Sequence, residues 1–126
     1  MNFSLSHTTR SYPTQWPYEA MKQAILGKTY ELSLTFIGST MAQTLNQTYR
    51  QKDYVPNVLS FPLNEDTGEI YICLEVAKKE AKKFNLSVDG YIAYLFIHGL
   101  VHLKGHDHSD TMDKLERKYI KQFNIS

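Results

Sequence analysis

A single cysteine, Cys73, is all the thiol this chain holds. One thiol cannot build an internal disulfide framework, which fits a reducing cytoplasm rather than a cross-linked secreted scaffold. Nor can it close a structural zinc site, which normally takes four ligands and usually several thiolates. Long apolar runs are missing, so no segment is expected to span a bilayer. No basic stretch followed by an apolar one marks a signal peptide, and a cytoplasmic location with no membrane partner is expected. Excess charge of one sign is absent too, with 14 Lys and Arg against 13 Asp and Glu. Bulk electrostatics therefore offers nothing to nucleic acid, and any RNA contact must come from local patches and a metal. Repeats, low-complexity tracts and linkers are also lacking. What remains is 126 residues at 42% hydrophobic content, enough for one domain, 1–126, with a real core.

Against that even background histidine is concentrated. Four of the five lie in the eleven-residue run His98-Gly99-Leu100-Val101-His102-Leu103-Lys104-Gly105-His106-Asp107-His108. Imidazole is the commonest protein ligand for Zn²⁺. His98 and His102 are four apart, which stacks them on one face of a helix. Gly105 is placed to take the left-handed conformation that ends a helix and turns the chain back toward a metal. A histidine past that turn supplies a third ligand. The H-x-x-x-H-x-x-G-x-x-H spacing, shared with the metzincin proteases, selects His98, His102 and His108. Three neutral imidazoles leave the cation its full charge and one open position, which suits catalysis better than bracing. One Zn²⁺ per chain is the expectation; satisfied core histidines are the bland alternative. Gly99 stands where the proteases carry their general-base glutamate, so the ligand spacing is kept and the base is missing.

Elsewhere the pattern alternates between strand and helix. Phe3 and Leu5 suggest a short strand over 2–6, and Gly27 a stop for a helix over 18–27. Leu32, Leu34 and Phe36 alternate with polar residues as a half-buried strand does. Ser39 is placed to cap a helix through Arg50, with Met41, Leu45 and Tyr49 as its inward stripe. Strands at 58–61 and 69–73 flank a turn over 64–68 and pair as a hairpin. A helix over 75–84 turns Val76, Ala77, Ala81 and Phe84 inward, leaving Lys78, Lys79, Lys82 and Lys83 as a solvated face or an RNA patch. Residues 89–104 are apolar nearly all round, so that helix is buried and holds His98 and His102 rigidly. Ser109 or Asp110 caps a last helix packed through Met112, Leu115, Tyr119 and Phe123. The class is α+β: a small sheet against a central buried helix.

The histidine run resembles the signature of the YbeY family of bacterial endoribonucleases. A second stretch supports this: Leu45-Asn46-Gln47-Thr48-Tyr49-Arg50-Gln51-Lys52-Asp53, then Asn57-Val58-Leu59-Ser60-Phe61-Pro62. It is similar to the family's L-N-x-x-Y-R-x-K-D segment followed by D/N-V-L-S-F-P, and Gly68-Glu69-Ile70 to the G-D-I that opens its next strand. The resemblance implies a zincin-like fold with a mixed four-stranded sheet, and zinc held by His98, His102 and His108. It also implies a functional role for Arg50, which alone would read as a solvated helix end. Catalytic roles are accordingly expected of Arg50 and His98. The chain departs from the family at Val55-Pro56, where Pro-Thr is usual, at Lys104, where many relatives have Leu, and in a trimmed loop at 64–68.

The implied activity is metal-dependent, single-strand-specific cleavage of RNA in 16S rRNA maturation and ribosome biogenesis. Precursor rRNA and the small ribosomal subunit or its assembly factors would be partners, and no DNA is expected. Arg50 would grip a phosphate through its planar fork of donors. His106 is an acid/base candidate or a surface residue. Asp107 would orient a ligand imidazole or cap the last helix. Two other readings remain: a zinc-stabilised, non-catalytic ribosome assembly factor, and another zinc hydrolase such as a metalloprotease.

Overall fold

Apolar alternation and turn chemistry place the strands. In the computed structural model, which describes residues 2–105 and 110–126, Leu32, Leu34 and Phe36 do form a strand. It is β2 (Glu31–Ile37), flanked by β1 (Phe3–His7) and β4 (Thr67–Cys73), with β3 (Val58–Asn64) outermost. The order β1-β2-β4-β3 makes a mixed sheet: β1, β2 and β4 run parallel, and β3 pairs antiparallel with β4. Leu34 thus lies between Leu5 and Ile70, and Phe36 beside Ile72. The β3–β4 hairpin is tighter than the sequence indicates. Its strands run on until only Glu65 and Asp66 remain in the turn, where Asn64 Oδ1 accepts from the Asp66 amide at 3.0 Å.

Helices α1 (Tyr18–Leu26) and α2 (Ser39–Arg50) follow β1 and β2, α3 (Leu74–Glu80) follows β4, and α4 (Val88–Leu103) and α5 (Asp110–Gln122) complete the chain. The core joins Met21 and Ile25 of α1, Leu34, Phe36, Ile70 and Ile72 of the sheet, and Ile92, Phe96, Ile97 and Leu100 of α4. Ten of the sixteen residues of α4 are buried, so it is the central helix that its apolar composition requires. Its start is fixed by Ser87, whose Oγ accepts from the Gly90 amide at 2.9 Å, and by Trp16 Nε1 donating to the Asp89 carbonyl at 2.8 Å. No single helix among the described residues is long and apolar enough to cross a membrane.

Three sequence expectations need correction. The N-cap of α2 is Gly38 rather than Ser39, whose amide instead donates to Glu75 Oε1 at 3.2 Å. Met41 and Tyr49 are exposed, and α2 turns Ala42 and Asn46 inward instead. A small residue and a hydrogen-bonding one win that face: Ala42 packs in a cluster with Ile37 and Cys73, and Asn46 holds the next loop. Phe84 is 51% exposed because α3 ends at Glu80 and tightens into a 3-10 turn over Ala81–Phe84. Three residues per turn instead of 3.6 rotates the ring out of the stripe.

Candidate active site

A cleft of about 560 Å³ opens between the end of α2, the loop after it, β3 and the end of α4. Arg50, Tyr54, Asn57, Ser60, His98 and His102 line it. The fold thus gathers both described metal-ligand candidates and the arginine into one concavity, from segments some fifty residues apart in the chain.

His98 and His102 sit on successive turns of α4, with ring centroids 4.7 Å apart and planes at 78°. Both are half-buried, as cleft walls are. His98 Nδ1 lies 2.5 Å from Glu116 Oε1 of α5. Glu116 is only 5% exposed, in the row of Met112 and Tyr119 that α5 turns toward the core. A buried carboxylate needs a partner of this kind. The pair fixes the ring of His98 and leaves Nε2 as the nitrogen through which it would bind a metal. Helix α4 gives way at Gly105, whose φ of +105° is the left-handed turn expected there. Its amide donates to the His102 carbonyl at 2.9 Å. His106, Asp107, His108 and Ser109 lie outside the described residues, so the third ligand and both expected roles of His106 and Asp107 do too. Among the described residues no group of three or more His, Cys, Asp or Glu is placed to hold a metal.

Arg50 is the last residue of α2 and is exposed at the cleft. The chain leaves α2 through Gln51 in the left-handed conformation, φ 55°. Three side chains then pin the loop back on the helix. Asn46 Nδ2, fully buried, donates to the Tyr54 carbonyl at 2.9 Å, Gln43 Nε2 to the Asp53 carbonyl at 2.8 Å, and Gln47 Nε2 reaches Asp53 Oδ1 at 3.5 Å. Val55 packs with Ile37 and Ala42, and Pro56 is buried, so the Val55-Pro56 pair anchors the loop by apolar contact. Asn57 closes it. Its side chain accepts from the Val58 amide at 2.7 Å and donates to Glu80 Oε1 at 3.0 Å, and that oxygen also accepts from Tyr91 at 2.9 Å. Burial and the Glu80 carboxylate push the Tyr91 phenol well above its ordinary range.

Gly99 explains the missing base. It faces the sheet: a Cβ there would stand 2.9 Å from Ser60 Oγ and 3.1 Å from Ile70 Cδ1. A glutamate at this position would be driven into the β3–β4 hairpin.

Fold and cleft together define a class: a mixed-sheet α+β domain whose buried helix carries an imidazole pair into a polar cleft. The Endoribonuclease YbeY family model matches residues 4–124. Endoribonuclease YbeY of Finegoldia magna is 39% identical over 108 residues, covering 76% of this chain and 71% of that protein. Its counterpart from Methylobacillus flagellatus is 34% identical over 128 residues, covering 99% and 86%. A Thermotoga maritima protein of known solution structure superposes with a TM-score of 0.69 at 26% identity, over 96% of this chain and 88% of that one. The chain belongs to the YbeY endoribonuclease family.

Two residues of the site escaped sequence reasoning. Glu116 carried a signal: a charged residue at i+4 from Met112, inside an otherwise apolar stripe. Asn57 carried none beyond its motif, because its partners Glu80 and Tyr91 come from distant segments.

Proposed function

We propose that this chain is a metal-dependent endoribonuclease that cuts single-stranded RNA, acting in the cytoplasm on 16S rRNA precursors of the small ribosomal subunit. The observation that carries the reading is the convergence of Arg50, His98 and His102 on one cleft. The donor set fits a divalent cation such as Zn²⁺, one per chain, held by His98, His102 and His108. A histidine ligand characteristically gives its second ring nitrogen to a carboxylate, and His98 does so to buried Glu116. When bound, the cation supplies Lewis acidity to a phosphoryl oxygen and acidifies water.

The chain's own residues supply the rest. Arg50 offers a forked, permanently charged donor set to a phosphate at the mouth of the cleft. His98 is held in orientation by Glu116. Asn57, locked by Glu80 and the Val58 amide, presents a rigid polar wall. Peptidase chemistry by the usual route has no base here, since position 99 faces the sheet. A purely structural zinc is disfavoured by placement, because the histidine pair lines a cleft beside a core already closed by apolar residues.

The test combines metal analysis with cleavage of one unstructured RNA at fixed salt. Expected are one metal per chain, its loss in His98→Ala, His102→Ala and His108→Ala with cleavage, and its retention in His106→Ala. Full loading of His108→Ala together with an empty His106→Ala would reassign the third ligand. A folded, metal-loaded wild type that leaves RNA intact would end the endoribonuclease reading.

A further inference from the structure

Among the exposed rings, one belongs to a stacked set that leads to the cleft. Phe84, at the end of the 3-10 turn, stacks on Tyr91 with centroids 5.0 Å apart and planes at 18°. It also stacks on Tyr94, at 6.3 Å and 28°. Tyr94 in turn lies 6.1 Å from the ring of His98, and His98 4.7 Å from that of His102. A row of rings therefore runs from Phe84 at the surface, through Tyr94, to the imidazole pair in the cleft. Its inner members are covered, Tyr91 almost fully and Tyr94 in part, whereas Phe84 is 51% exposed. A ring half in water at the end of a stacked set offers its open face to a further flat partner.

The surroundings say what kind of partner. Lys82 and Lys83 precede Phe84 in the same turn, and Lys78 and Lys79 lie one turn back on α3, all four exposed. Of the carboxylates near the row, Glu80 is engaged with Asn57 and Tyr91 and Glu116 with His98, while Asp113 faces Tyr94 at the cleft end, away from the lysines. An exposed flat ring preceded in the chain by lysines, and joined through a row of rings to the histidines of a cleft carrying an arginine, matches single-stranded nucleic acid, whose bases stack and whose phosphates need cations.

We infer that Phe84 is a stacking subsite for an unpaired nucleobase of the RNA, a few nucleotides from the bond cut at the cleft, with Lys82 and Lys83 on the adjoining phosphates. This rests on the endoribonuclease reading and adds a specificity device to it. A base held in a duplex cannot reach the ring, so the subsite selects unpaired substrate. It also gives the lysine face a role that a merely solvated surface would lack.

The test is steady-state cleavage of a short unstructured RNA at fixed salt by wild type, Phe84→Leu and Phe84→Trp. Leucine keeps apolar bulk without a flat face, and tryptophan keeps the face. Phe84→Leu should raise KM about tenfold, or ~1.4 kcal/mol, with kcat little changed, and Phe84→Trp should stay near wild type. A matched set of RNAs, each with one abasic nucleotide, completes the cycle. One abasic position should raise the wild-type KM by the same factor and leave Phe84→Leu indifferent. Wild type that cleaves while Phe84→Leu keeps its KM overturns the subsite alone. Equal loss in the leucine and tryptophan variants returns Phe84 to a packing role, and so does the lack of any sensitive abasic position. Wild type that cleaves no RNA overturns both this inference and the activity it rests on.

Discussion

Glu116 and Arg50 put different physics to use in the same cleft. Glu116 is buried and touches His98, so its effect on any metal passes through the imidazole it orients. Glu116→Gln keeps shape and an acceptor oxygen but removes the charge that raises ligand basicity. Metal affinity, read by competition with a chromogenic chelator, should fall roughly 10- to 100-fold. An unchanged affinity would mean that the His98–Glu116 contact serves packing alone. Arg50 is exposed, and its value lies in the fork rather than in burial. Arg50→Lys keeps the charge and loses bidentate geometry. Cleavage should drop by about 2–4 kcal/mol of transition-state stabilisation, roughly a hundredfold, by analogy with removal of an oxyanion donor. Metal content and melting temperature should not move. Wild-type cleavage by Arg50→Lys would make Arg50 a solvated helix end.

Two helix elements depend on contacts that their own sequences do not contain. The last turn of α1 has no basic residue, yet two of its carbonyls are met from distant elements. Lys104 Nζ donates to the Ile25 carbonyl at 3.0 Å and Tyr119 Oη to the Ala24 carbonyl at 3.3 Å. These bonds answer the orphan acceptors and the negative end of the helix dipole. The Lys104 ammonium thus caps a helix that lies far from it in the chain. Lys104→Met should cost about 1 kcal/mol in urea denaturation, leaving metal content untouched. No loss would show that water serves the Ile25 carbonyl equally well. Helix α4 meets the sheet through Gly99, where a side chain has no room. Gly99→Glu should destabilise by at least ~3 kcal/mol, through overpacking and a buried unpaired carboxylate, and should yield no peptidase. A stable, soluble Gly99→Glu protein would show that the α4–hairpin contact yields more readily than its geometry indicates.

At the scale of the whole molecule, buried phenols set the alkaline limit. Tyr18 is 5% exposed, and its hydroxyl donates to the Pro13 carbonyl at 2.5 Å; Tyr91 is 1% exposed and donates to Glu80. Burial raises both above their ordinary value of 10.0, and neighbouring carboxylates add to it. A raised folded value means that the native state keeps these protons after the unfolded chain has released them. Their contribution to stability is therefore complete below about pH 10 and is lost as pH climbs beyond it. Each such tyrosine adds a slope of ~1.4 kcal/mol per pH unit in that range. Urea midpoints should hold to about pH 9.5 and then fall. Tyr91→Phe should flatten the fall by one proton's worth, at the cost of about 1 kcal/mol near neutrality from the lost Glu80 bond. A Tyr91→Phe curve parallel to wild type would remove Tyr91 from the alkaline transition.

Much of this was legible in the chain because it is local. The alternation of Leu32, Leu34 and Phe36, the apolar run of α4, the stop at Gly27 and the turn at Gly105 act within a few residues, and all four stand where periodicity and backbone sterics put them. The four-apart spacing of His98 and His102 likewise guarantees their shared face on any helix. What the sequence could not determine is which surface each element turns to its neighbours. The inward face of α2 went to Ala42 and Asn46 rather than Met41 and Tyr49, because close approach to the sheet and the Tyr54 carbonyl reward a small residue and an amide. Phe84 left its stripe when α3 tightened into a 3-10 turn. Glu116 found His98, and Lys104 found Ile25, across 18 and 79 residues. Such pairs form only once the core has brought distant segments together: the buried Glu116 carboxylate is tolerable only beside its partner, and nothing in the local sequence names that partner.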